Sequence, residues 1–138
     1  MSNTRVKVNI PSNLNPKEFE ILQKLSNEYA KTPLIELTNR TKKYTKELEE
    51  IAKTNGLLNL KLAQKINDTI LEVEKLWTEL ALDSQYWLKG AIAYYFLTQD
   101  EEDDISSPIG FEDDVDVLNS CLRLAELNQF IIRIEDFD

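Results

Sequence analysis

The feature that most constrains this chain is the spacing of its apolar residues, which recur three and four positions apart through most of its length. Leu34, Leu37, Thr41, Tyr44, Leu48 and Ile51 form one such stripe, and Leu58, Leu62, Ile66, Ile70, Val73, Trp77 and Leu80 form another. A strand cannot hold that pattern on one face, because its side chains alternate with period two. Three glycines and four prolines in 138 residues also suit helices better than a sheet. The pattern predicts an all-α, single-domain bundle of about five helices over residues 1–138.

Local signals predict where the helices begin and end. Asn15-Pro16-Lys17-Glu18 reads as a helix start, with Asn15 as N-cap, Pro16 at the first position and Glu18 completing a capping box. The first helix should run to about Lys31 and bury Phe19, Leu22, Leu25, Ser26 and Tyr29. Thr32-Pro33 repeats the signal and should open the second helix, with Gly56 as its stop. Asp83 or Ser84 should cap a fourth helix, from about Gln85 to Leu97, that is apolar nearly all round and therefore central. A fifth helix should start near Asp113 and run to about Asn128. Val6–Ile10 alternates like a short strand within an extended N-terminal segment, residues 1–14. The tail Phe130–Ile134 fits a strand or a helix continuation.

Composition excludes several function classes. There is no His, which removes the commonest general base, every Ser-His or Cys-His pair and any His-containing zinc site. The single Cys121 cannot form an internal disulfide, and its place on a core face predicts an inert thiol. Sixteen basic and 25 acidic residues leave a net charge of −9, which disfavours nucleic acid and acidic lipid. No targeting signal or membrane-spanning run is visible, so the sequence predicts a cytoplasmic protein. Arg40, Lys42, Lys43 and Lys46 read as a solvated face of the second helix. Trp77 and Trp87 read as core residues.

Charge is unevenly distributed. Residues 1–69 carry 12 basic and 8 acidic side chains, whereas residues 70–138 carry 4 and 17. Nine carboxylates lie between Asp100 and Asp116 with no Lys or Arg among them. Such crowding raises carboxyl pKa values, and a hard divalent cation with oxygen ligands, Ca²⁺ or Mg²⁺, is one remedy. The segment is not an EF-hand, because Ile105 stands where the loop needs Gly and Phe111 where it needs Glu. A second explanation for Asp113 is that it N-caps the fifth helix, with Asp116 at the third helical position.

Ala91-Ile-Ala-Tyr-Tyr-Phe-Leu97, followed by Asp100, Asp104, Gly110 and the pair Asp113-Asp114, resembles the signature of the YkvA family, a bacterial domain of unknown function. The resemblance covers about residues 87–124. Both family prolines are replaced, by Thr98 and Asp103, and Pro108 stands one place late. The resemblance implies a helix–loop–helix hairpin with an acidic turn, and no agreed activity.

Two functional expectations follow. The first is a non-enzymatic helical interaction or regulatory protein whose acidic loop meets a protein partner with a basic surface. The alternative is a divalent-cation site built from Asp100, Asp104, Asp113 and Asp114, structural or used in metal-assisted hydrolysis. No other cofactor is expected.

Overall fold

The computed structural model describes residues 10–97 and 111–137. Among them are five α-helices, three short 3₁₀ turns and no strand: α1 (Pro16–Tyr29), α2 (Leu34–Ala52), α3 (Leu60–Lys75), α4 (Leu82–Phe96) and α5 (Glu112–Leu124). The all-α expectation is met. The proposed strand Val6–Ile10 lies outside the described residues except for Ile10, which has no regular structure. The tail is neither strand nor helix continuation. It forms 3₁₀ turns at Asn128–Phe130 and Ile134–Phe137, with an irregular link between them.

Helix α1 starts as its sequence dictates. Asn15 Oδ1 accepts from the Glu18 amide at 2.7 Å, and Glu18 Oε1 accepts from the Asn15 amide at 3.1 Å. The other starts differ from expectation. Pro33, not Thr32, is the N-cap of α2, and no side chain caps it. Ala81 precedes α4 and Phe111 precedes α5, again without a side-chain cap. Asp113 is therefore the second residue of α5 rather than its cap. In its place, Glu112, Asp113 and Asp114 supply negative charge to the positive end of the helix dipole. Helix α2 ends at Ala52, well before Gly56, and Asn59 caps α3 by accepting from the Leu62 amide at 3.2 Å.

Cross-links set the helix order in space. Thr38 Oγ1 donates to Glu74 Oε2 at 2.9 Å, and Gln64 Nε2 donates to Glu49 Oε2 at 3.2 Å, so α2 and α3 run antiparallel. Tyr94 meets Asp113 and Trp87 meets Cys121, so α4 and α5 are antiparallel too. Helix α4 is the centre of the bundle: every residue from Gly90 to Phe96 is buried, and it packs against α1, α2 and α5. A segment enclosed on all sides needs no polar face, which is why α4 from Gly90 to Phe96 is apolar nearly all round.

The α1–α4 contact is tight because both partners are small. A Cβ on Gly90 would stand 2.0 Å from Ser26 Oγ and 2.9 Å from the Ser26 backbone nitrogen. Lys89 then reaches across from α4 to the end of α1, donating to the carbonyls of Ala30 at 3.1 Å and Thr32 at 2.8 Å. It places a cation at the negative end of a helix that has no basic residue in its own last turn.

The tail is tied down by Asn119, whose side-chain amide donates to the Ile132 carbonyl and accepts from the Ile132 amide, both at 2.9 Å. One buried side chain thus satisfies the two backbone groups that a neighbouring strand would have satisfied. No described helix is long and apolar enough to cross a membrane.

Candidate functional site

The candidate site is the N-terminal end of α5, whose first turn carries three acidic residues, one of which, Asp113, meets Tyr94 of α4. Of the four residues expected to bind a cation, Asp113 and Asp114 are described, whereas Asp100 and Asp104 lie outside the described residues. The described pair diverges, as neighbours on a helix must, by roughly 100°. Asp114 turns inwards and is 2% exposed. Asp113 lies at the rim, where Oδ2 accepts from the Tyr94 hydroxyl at 3.3 Å. Its other oxygen, Oδ1, is buried with no hydrogen-bond partner among the described residues.

Tyr94 and Tyr95 go separate ways for the same helical reason. Tyr94 meets the acidic turn. Tyr95 enters the core, where its hydroxyl lies 2.6 Å from Thr45 Oγ1 and 3.2 Å from the Ala63 carbonyl oxygen. Its ring meets Tyr44 edge-on with centroids 5.1 Å apart. Thr45, held on the Thr41 carbonyl at 2.9 Å, links α2 to this buried chain of hydroxyls.

Helix α1 contributes a further acid that sequence reasoning had assigned only to capping. Burial of the Glu18 carboxyl raises its pKa above the ordinary value. The capping hydrogen bond to Asn15 opposes that rise, and the charges of Asp116 and Asp113 add to it. The Asp116 carboxyl is raised first by desolvation and next by Asp113, against a smaller lowering by Arg123. Asp116 is exposed as a residue, yet its carboxyl is partly covered by its surroundings. Glu18, Asp113 and Asp116 therefore form one electrostatically coupled patch drawn from two helices. The sequence signal for it was weak: an i, i+3 pair on α5 and a capping glutamate nearly a hundred residues earlier.

Among the described residues, no three His, Cys, Asp or Glu side chains stand where they could hold a metal ion. Cys121 is fully buried, and desolvation raises its pKa far above the ordinary thiol value, so it is not a nucleophile. Trp87 is buried and Trp77 partly so, both packed into the core as expected. Comparison of the chain with protein-family models, with curated proteins and with solved structures finds no match, so the chemistry of the site rests on its own residues.

Proposed function

We propose that the protein is a non-enzymatic helical interaction module whose acidic end meets a basic partner. The observation that carries this reading is the patch of Glu18, Asp113 and Asp116, where burial first and then the charge of neighbouring acids disfavour the ionised forms of Glu18 and Asp116. A cationic surface docking there relieves that repulsion, and the net charge of −9 steers such a partner in at low salt. The likeness of residues 87–124 to the YkvA signature supports the same helix–loop–helix as the working part. A lysine-rich peptide, titrated while backbone amide shifts are followed by NMR, tests the reading. Saturable shifts should centre on the starts of α1 and α5, fade as sodium chloride is raised, and weaken when Asp113 and Asp116 become Asn. Shifts spread evenly over the surface, or insensitive to that double change, would refute it.

A second reading is the divalent-cation site of Asp100, Asp104, Asp113 and Asp114. It is favoured by one observation, the buried Oδ1 of Asp113 that no protein donor satisfies among the described residues. Calcium or magnesium should then raise the melting temperature above a sodium chloride control of equal ionic strength, and Asp113→Asn should blunt the rise. Identical melting curves in all three salts would remove this reading and leave the first intact.

A further inference from the structure

A cleft of about 220 Å³ opens beside α2 and the C-terminal turn of α4, lined by Arg40, Lys43, Tyr44, Glu47 and Phe96. The four α2 residues fall at i, i+3, i+4 and i+7, a single stripe of the helix. Phe96 closes the cleft from α4. The guanidinium carbon of Arg40 stands 4.3 Å from the Phe96 ring centroid and 5.8 Å from that of Tyr29. Its Nη1 donates to the Tyr29 hydroxyl at 3.3 Å, and the Tyr29 ring meets Phe96 edge-on at 6.1 Å.

Those contacts hold the guanidinium plane while leaving most of its donors unused. An arginine carries five N–H groups in a fixed fork, and Arg40 spends one of them within the described residues. Neither Arg40 nor Lys43 forms an ion pair with Glu47 or with any other carboxylate among the described residues. A solvated arginine keeps rotamer entropy that an incoming ligand must remove. Arg40 has already lost much of that freedom to Phe96 and Tyr29, so the fork is pre-organised.

We propose that this cleft binds a small organic anion through a single oxyanion group, a carboxylate or a phosphate, gripped by the Arg40 fork and the Lys43 ammonium. The cleft is smaller than the roughly 300 Å³ at the lower end of usual ligand pockets, which sets the size of the guest. A polyanion such as nucleic acid is disfavoured by the chain's charge of −9. Glu47 repels a second negative group at its end of the stripe and suits a hydrogen-bond donor on the ligand.

Inorganic phosphate and acetate are the probes, each titrated as its sodium salt against sodium chloride of equal ionic strength. Backbone amide shifts in α2 and near Phe96 should saturate with at least one of them, and the tighter of the two identifies the oxyanion. Arg40→Gln should weaken binding about tenfold or more and Lys43→Gln severalfold, as loss of a charge-assisted hydrogen bond does. Lys42→Gln removes the same charge from an exposed residue outside the cleft and should leave binding unchanged. Glu47→Gln should tighten it. Failure of both anions to saturate, or equal weakening by Lys42→Gln and Lys43→Gln, would overturn the proposal. If Arg40→Gln disturbs folding, the comparison of the two lysine variants decides alone.

Discussion

The α1–α4 seam and the first turn of α5 both bury polar atoms, but in opposite ways. At the seam a neutral hydroxyl, Ser26 Oγ, is enclosed against Gly90 with no hydrogen-bond partner among the described residues. At the start of α5 the buried atoms belong to carboxylates, and beside them burial raises the pKa of Glu18 and of Asp116, with the charge of Asp113 adding to both. The seam tolerates a small polar cost because it lets two helices approach closely, and dispersion over the whole contact outweighs one unsatisfied hydroxyl. The α5 turn gains no such packing from its charges. That crowding of acids at a rim is the feature on which the proposed docking of a basic partner rests.

The sharpest way to break that contrast is Gly90→Ala. The added methyl meets Ser26 Oγ and the α1 backbone, and the backbone cannot swing aside as a long side chain can. Overpacking should outweigh the gain in helix propensity and leave a net loss of about 2 kcal/mol, read by denaturant unfolding. An unchanged unfolding midpoint would mean that α1 and α4 are not in close contact. The smaller change Ser26→Ala acts in the other direction. It removes the unpartnered hydroxyl and keeps the Cβ, so it should stabilise by about 0.5–1 kcal/mol. Destabilisation would show that the hydroxyl has a partner after all.

The acidic turn should give the smallest effect and a distinctive pH dependence. Glu18 and Asp116 have pKa values raised above the ordinary 4.5 and 3.8, so the folded state binds these protons more tightly than the unfolded state. Stability from these two groups therefore falls as pH rises from their ordinary values through their raised ones, and it returns on acidification. The sign is opposite to that of a salt-bridged carboxylate. Replacing Glu18 by Gln and Asp116 by Asn together should flatten this part of the profile. At neutral pH it should stabilise by only a few tenths of a kcal/mol, because both groups are largely screened by solvent. Gln at position 18 preserves the capping geometry, so a loss of stability at neutral pH would contradict the proposed repulsion.

Helix existence was legible wherever the apolar period was strong. The stripe of α2 and the Asn15–Glu18 box of α1 appear in the structure where the residues placed them, whereas the stripe from Leu58 to Leu80 is helical only over Leu60–Lys75, with Trp77–Glu79 forming a 3₁₀ turn beyond it. Helix starts were less legible when they lacked a capping side chain, as at Pro33, Ala81 and Phe111. Polar signals just inside those starts, Asp83 and Asp113, were mistaken for caps because an acid favours the dipole from the first turn as well as from the cap. The tail misled for a related reason. β-branched Ile131, Ile132 and Ile134 suit a strand, but Asn119 satisfies the backbone of Ile132 without one.

By itself the sequence determined the fold class, the centrality of α4 and the absence of histidine chemistry. Each follows from composition or from a period of 3.6 residues, which are local properties of the chain. Only the tertiary structure decided which charges matter. Glu18 joins Asp113 and Asp116 across a gap of nearly a hundred residues, because the starts of α1 and α5 come together. Arg40 and Lys43 stay exposed, as a solvated face requires, and also line a cleft, because Tyr29 from α1 and Phe96 from α4 supply the aromatic surface that α2 lacks on that side. Electrostatic coupling depends on distance through space, and no spacing along one helix encodes where a second helix will place its side chains.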